Sequence, residues 1–314
     1  MVDSKHQWKA WLYLSPAIVL LLIFTVWPII NTVRIAFLEE YNALNVLIGT
    51  EFKVGFGNFT KVLMGEDSDF MDGLINTMLL TVLTVPISTI LALLIAVALN
   101  SIKPLQKFLQ TIFFLPYVTN SIAIGMVFAA MFNIIGLSPD GARAESWGII
   151  NNVIMFFGGD PINWINAQSS YAANIAVMTI YIVWNALPFK ILILLGGLQS
   201  INKQYYDAAR VDGTPRWRVL TKITVPLLSP MLAYVIITSF IGGFKEYSSI
   251  VGIFGEKMGP VGADFRLNTM VGYIYEALPE MNYGVASAAA LVLFGIILVV
   301  TMINLQVSKK RVHF

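Results

Sequence analysis

The sequence predicts an all-α, polytopic membrane protein with six spans, and three observations carry that prediction. Of 314 residues, 57% are hydrophobic and only 12% are charged, where a soluble domain carries roughly 25% charged residues. Six long stretches hold no Asp, Glu, Lys or Arg: Ala10–Val33, Gly73–Ile102, Phe108–Pro139, Pro161–Phe189, Ile223–Phe244 and Met281–Ser308. Each exceeds the ~20 residues that cross a hydrocarbon core of about 30 Å. Runs such as Leu91–Leu99 also lack the polar–apolar alternation of a barrel strand. Backbone groups in lipid must be satisfied within the chain, so the spans are helices.

Trimmed to their apolar centres, the spans fall at about 10–33, 73–100, 108–135, 171–195, 223–244 and 283–307, in a single transmembrane domain over 1–314. The first is read as retained: its apolar run is longer than a signal-peptide core, and no small-x-small site follows Pro28 before Arg34. The stretch Ser146–Gly159 is shorter and carries Asn151 and Asn152, so it is a loop element. Prolines and glycines inside the spans, among them Pro16, Pro28, Pro86, Pro188, Pro226 and Gly242-Gly243, mark kinks or close backbone approaches.

Charge sets the orientation. With both termini cytoplasmic, the inner segments hold 13 of the 20 Lys and Arg residues and the outer segments 7, although the inner segments are shorter. That asymmetry follows the positive-inside rule. On this reading Lys190 lies at the cytoplasmic end of the fourth span and snorkels to the cytoplasmic side, while Lys245 and Glu246 sit at the outer edge of the fifth. The outer segments 34–72, 140–170 and 245–280 are long, and Gly158-Gly159-Asp160-Pro161 is a turn signal. On the inner side, Asn100–Lys107 is a short link that makes spans two and three antiparallel neighbours.

Several functions are excluded or disfavoured. Without cysteine there is no disulfide, thiolate metal site or cysteine nucleophile. His6 and His313 lie at the termini, and no catalytic set falls at one membrane depth. A stand-alone secondary transporter needs a buried charge relay, and the six windows lack charge. No G-x-x-x-x-G-K-[ST] loop is present to cradle nucleotide phosphates.

The cytoplasmic segment 200–222 between spans four and five is the most informative. Tyr205–Asp212 reads as a short helix with small residues at Ala208 and Ala209, and Gly213 ends it in a left-handed turn. Thr214 is the expected N-cap of a following helix and Pro215 its first residue. Trp217, Leu220 and Ile223 make that helix's apolar side, with Arg216, Arg218 and Lys222 towards headgroups.

Asp207-Ala208-Ala209, Gly213 three residues on, and Ile223-Thr224-Val225-Pro226 after nine more resemble the cytoplasmic "EAA" signature of permease subunits of binding-protein-dependent ABC importers. The family pattern is Glu-Ala-Ala, three residues, Gly, nine residues, Ile-x-Leu-Pro; Asp207 and Val225 are the two departures. Leu115-Pro116-Tyr117, Ser239-Phe240 before Gly243-Phe244-Lys245, Tyr283-Gly284 and Leu14-Ser15-Pro16-Ala17 are similar to the sugar branch of that family, the maltose and multiple-sugar permeases.

The resemblance implies a type I ABC importer permease fold and import of a sugar or oligosaccharide, with glycerol phosphate, a polyol or a charged oligosaccharide as the alternative cargo. It implies ATPase coupling through Asp207, Ala208, Ala209, Gly213 and Pro226. It implies substrate contact at Tyr117 and Ser121 on span three, Asn185 and Ala186 on span four, and Ser239, Gly243 and Glu246 on span five. Ser239 lies about 20 Å along a straight helix from Pro226, and Glu246 about 30 Å. The implied partners are a second, homologous permease in a heterodimer, two ATPase subunits, an extracytoplasmic solute-binding protein and the lipid bilayer, with no nucleic acid. No cofactor is expected on this chain; ATP and Mg²⁺ belong to the partner ATPase.

Overall fold

The computed structural model describes residues 7–64, 69–102, 108, 111–112, 115–136, 138 and 143–311. The regular structure is helical. Extended pairing among the described residues is limited to two isolated bridges, Leu38 with Val54 and Ile135 with Ser146.

The first span is α1 (Gln7–Leu21), a π-turn at Leu22–Val26, and α2 (Trp27–Ala36). Short α3 (Ala43–Ile48) and α4 (Gly57–Met64) precede the long α5 (Asp69–Ser101). A 3-10 turn at Leu115–Val118 leads to α6 (Ser121–Phe132). Next come α7 (Gly148–Phe156) and the 30-residue α8 (Tyr171–Ser200). Beyond it lie α9 (Lys203–Val211), α10 (Arg216–Val219), a second π-turn at Leu220–Thr224, α11 (Val225–Leu227) and α12 (Ser229–Gly243). The chain closes with α13 (Ser248–Phe254), α14 (Met270–Ala277) and α15 (Tyr283–Arg311).

Four of these stretches are long and apolar enough to cross a membrane: Trp8–Ala36, Asp69–Ser101, Tyr171–Ser200 and Tyr283–Lys309. The fifth predicted span is broken. Arg216–Leu227 and Ser229–Gly243 meet at 72°, so the straight 223–244 helix assumed from the sequence, and the depths counted along it, do not hold. The predicted third span, 108–135, lies partly outside the described residues, and its described core is the 12-residue α6. The link around Pro104 also lies outside them.

Both π-turns end two residues before a proline. Trp27 N–H donates to Leu22 O ahead of Pro28, and Val225 N–H donates to Leu220 O ahead of Pro226. A helical proline lacks the N–H and crowds the carbonyl four residues back. One widened turn shifts the hydrogen-bond register locally instead of breaking the helix.

Contacts divide the chain into two compact units, Met1–Phe70 with Tyr273–Phe294, and Met71–Gly272 with Gly295–Phe314. In the first unit the segment after α2 folds on aromatic contacts among Phe37, Phe56 and Phe59. Buried Asn58 donates through Nδ2 to the carbonyls of Ala36 and Leu38. The amide of Gly284 donates to Tyr41 O, and a Cβ on Gly284 would collide with the Asn58 carboxamide.

The second unit has two apolar clusters stacked along α5 and α8. One joins Leu80, Phe132, Val177, Met178, Tyr181 and Ile250; the other joins Ala92, Ala96, Leu99, Leu194, Leu195, Leu198 and Leu228. Polar groups near the start of α5 are satisfied by the segment before α14: Asn76 Nδ2 donates to Arg266 O and Asn268 O, and Thr77 Oγ1 accepts from Met270 N–H.

Helices α6 and α13 meet backbone to backbone. A Cβ on Gly125 would lie 2.7 Å from Gly252 Cα, and one on Gly252 would lie 3.0 Å from Gly125 Cα. Small residues bring membrane helices this close. Gly125→Val is expected to destabilise the second unit by about 1–3 kcal/mol, the usual cost of overpacking. A thermal unfolding midpoint in detergent equal to that of the parent protein would refute this.

Candidate functional site

Two sites are built in the second unit. The first is a cavity of about 220 Å³ among α5, α8 and α12, lined by residues that include Thr84, Ser88, Asn185, Ala186, Lys190, Ser239, Gly242, Gly243 and Glu246. Along α5 and α8 it falls between the two apolar clusters. Asn185 stands halfway along α8, a helix of about 45 Å, so the cavity sits at mid-span.

Five of the seven substrate-contact residues inferred from the sequence converge there: Asn185, Ala186, Ser239, Gly243 and Glu246. The half-buried Asn185 carboxamide makes no hydrogen bond to other described residues, so two donors and an acceptor are open to a ligand. Ser239 Oγ donates to Val235 O in its own helix, which leaves its lone pairs available. The two glycines differ. Gly242 faces open space, whereas a Cβ on Gly243 would lie 2.7 Å from Thr81 Oγ1, so Gly243 serves helix packing.

Tyr117 and Ser121 do not line this cavity. Tyr117 is half exposed and its ring stacks on Phe189 at 5.7 Å between centroids. Ser121 is engaged by Tyr181, whose hydroxyl donates to Ser121 O at 2.6 Å and lies 3.1 Å from Ser121 Oγ.

Two charged residues sit differently from the sequence expectation. Lys190 does not snorkel to the cytoplasmic side: it is 3% exposed, and its Nζ donates to Ser88 Oγ at 2.7 Å, Thr89 Oγ1 at 3.1 Å and Val85 O at 3.5 Å. Helix α8 runs on to Ser200, so Lys190 lies well inside that helix instead of at its end. Glu246 is not at the outer edge. It is half-buried on the same cavity, its Oε1 accepting from the amides of Tyr247 and Ser249 at the start of α13. No ion pair joins Lys190 and Glu246 among the described residues. Sequence reasoning missed Lys190 because a lysine one residue past an uncharged window looks like a span end. Its one local signal was that the apolar pattern resumes at Ile191.

The second site is the elbow after α8. Asn202 caps α9 by accepting from Gln204 N–H. The helix ends in a Schellman turn: Thr214 N–H donates to Ala209 O, Gly213 N–H donates to Arg210 O, and Gly213 has φ of +63°. Thr214 is therefore spent closing α9 and is not the N-cap of the next helix. Pro215 occupies that position, without a side-chain cap, rather than the first helical residue.

Ala209 is buried, while Ala208, Asp207 and Val211 are exposed, Val211 at 88%. Asp207 pairs with Arg210 at 3.6 Å on that outer face, an exposed contact worth little energy. Tyr206 OH lies 3.3 Å from Thr224 Oγ1, which ties α9 to the second π-turn. Trp217 is exposed, whereas Leu220 and Ile223 are half-buried.

Comparison with known proteins decides the family. Residues 88–313 match the family described as "Binding-protein-dependent transport system inner membrane component". The chain belongs to that family. This transport component is 29% identical to the arabinooligosaccharides transport system permease protein AraP of Bacillus subtilis (strain 168), over 98% of this chain and 91% of that protein. It is 27% identical to the trehalose/maltose transport system permease protein MalF of Thermococcus litoralis, over 99% and 98%. Its fold matches a chain of a bacterial alginate ABC transporter solved with an alginate pentasaccharide-bound periplasmic protein, with a TM-score of 0.76 over 98% and 96% of the two chains at 24% identity. A membrane-spanning, all-helical importer component is therefore the class of this molecule.

Proposed function

We propose that the chain is the permease subunit of an ATP-driven importer in the cytoplasmic membrane, moving a sugar or oligosaccharide handed over by an extracytoplasmic binding protein. The observation that carries the reading is the family match over residues 88–313. Near-full-length similarity to permeases named for arabinooligosaccharides, lactose and trehalose/maltose supports the sugar cargo. The uncharged Asn185 amide and Ser239 hydroxyl at mid-span suit a polyhydroxylated solute.

In this reading six spans run with both termini inside, and a second, homologous permease completes the pathway. The exposed face of α9, with Asp207, Ala208 and Val211, docks on one of two ATPase subunits, and Ala209, Gly213 and Pro226 shape the elbow. ATP and Mg²⁺ are handled by those subunits, since this chain has no phosphate-binding loop. ATPase closure moves α9, and the bent α10–α12 segment transmits the motion to the cavity.

The test is uptake of labelled oligosaccharides by the assembled transporter in proteoliposomes, with and without ATP. Import that proceeds without ATP or without the ATPase subunits refutes the reading. Within it, Asn185→Ala is expected to raise KM about tenfold, the equivalent of one or two lost hydrogen bonds, with assembly of the complex intact. Tyr117→Ala is expected to shift KM less, because that ring stacks on Phe189 away from the cavity. Unchanged KM in Asn185→Ala counts against the cavity as the sugar site.

A further inference from the structure

A cavity of about 940 Å³ belongs to neither site above. It lies in the second unit, where the end of α6, the start of α7, the segment before α8 and the segment after α13 come together. Since α8 starts at this end and delivers the chain to α9 at its other end, the cavity and the ATPase elbow sit at opposite ends of that helix.

Its wall combines carboxamides with an indole: Asn133, Asn163, Asn166, Gln168 and Trp147 all line it. No ionisable side chain lines it among the described residues. The amides form a fixed frame. Asn166 Nδ2 donates to Asn133 Oδ1 at 2.7 Å and to Ile134 O, its Oδ1 accepts from Ile134 N–H, and Asn163 Nδ2 donates to Ala167 O.

Gln168 stands out in this frame. Its φ is +61°, uncommon for a residue with a side chain, and its exposed amide makes no hydrogen bond to other described residues. The turn that holds it is pinned on both sides, by Asn163 at Ala167 O and by the Arg266 guanidinium at Ser169 O. A strained residue fixed by its surroundings, with its functional group free, is the arrangement found at ligand sites. Trp147 is set by its neighbour: Gly148 has φ of +76°, and a Cβ there would lie 2.5 Å from Asn133 O.

We propose that this cavity is a vestibule that binds an uncharged oligosaccharide before it enters the span, so that the cargo class is neutral rather than acidic. The proposal rests on the importer reading above. Carboxamides both donate and accept, as sugar hydroxyls require. The indole offers an apolar face to the C–H surface of a sugar ring and a donor at its edge. A cavity lined by apolar and aromatic groups with a few placed polar ones is the usual form of a small-molecule site. An acidic glycan would find no cationic partner for its carboxylates among the described lining residues.

The experiment uses the full chain in lipid nanodiscs, titrated with lactose, maltotriose and arabinotriose, and separately with a mannuronate trisaccharide. Saturation-transfer NMR reads the binding. At least one neutral sugar is expected to bind, and Trp147→Ala and Gln168→Ala are each expected to weaken it about tenfold. Trp147→Phe should retain most of the affinity. Gln168 is exposed, so its variant tests the site even if Trp147→Ala folds poorly.

The vestibule is overturned if no neutral sugar binds, if Gln168→Ala binds like the parent, or if the mannuronate trisaccharide binds as tightly as the neutral ones. Uptake by the assembled transporter separates the two readings. Sugar import with unchanged KM in both variants removes the vestibule and leaves the importer. Absence of ATP-driven sugar uptake by the unmodified complex removes the importer itself.

Discussion

Gly213→Pro is expected to abolish coupled transport, by about 100-fold or more, while the protein still inserts in the membrane. Gly213 holds φ of +63° and donates its amide to Arg210 O. Proline locks φ near −65° and has no N–H, so it can meet neither requirement. The neighbouring bond from Thr214 N–H to Ala209 O fails with it, and α9 loses the turn that sets its angle to α10.

Gly213→Ala is the graded control. It keeps the N–H and incurs only the left-handed strain of about 1–2 kcal/mol, so partial activity should survive. The docking face itself is tested by Ala208→Glu and Val211→Asp, both exposed positions. Ala209→Glu is a poorer probe, because Ala209 is 4% exposed and a carboxylate there would disrupt the elbow from within. The measurement is basal ATPase activity of the complex beside uptake. Full uptake in Gly213→Pro, or in both surface variants, would remove the proposed coupling role of α9.

The second large effect is expected at Lys190. A lysine at the centre of a membrane helix costs about 2.5–3.5 kcal/mol on insertion scales, and among the described residues its ammonium meets hydroxyl and carbonyl oxygens. Were its role only to join α5 to α8, an apolar side chain of similar length would serve without the cost of burying a charge. Lys190→Met is therefore expected to leave the unfolding midpoint unchanged or raised, and to lower uptake about tenfold or more.

Glu246 is the carboxylate across the same cavity. If the two charges act together, Glu246→Gln should lower uptake alone and recover part of it in the double variant, giving a coupling term in the cycle. A Lys190→Met protein that transports normally, or one that loses stability and uptake together, would show that the charge has no part in transport.

Much of this architecture was legible in the sequence, and for a physical reason. Lipid forbids unsatisfied backbone, so a charge-free stretch of sufficient length must be a helix. Four predicted spans duly appear as single helices or, in the first, as helices joined by a π-turn. The α9 elbow was legible because its determinants are local. Ala209, Arg210, Gly213 and Thr214 lie close together in the chain, and their hydrogen bonds close inside that segment. The misplacement of Thr214 was a matter of which neighbour used its amide. The cavity was legible in part, through the motif residues Asn185, Ser239 and Glu246.

What the sequence by itself determined, then, is the membrane-spanning helical class, the helical elbow after α8 and most of the polar residues at mid-span. Tertiary structure alone decided that Lys190 turns inward, because the oxygens that hold it belong to residues 101 and 102 positions earlier in the chain. It alone set Tyr117 on Phe189 instead of the cavity, and gathered Asn133, Trp147 and Gln168 around one space. Each of these depends on contacts between segments far apart in sequence, and local periodicity and spacing hold no record of which distant surfaces meet.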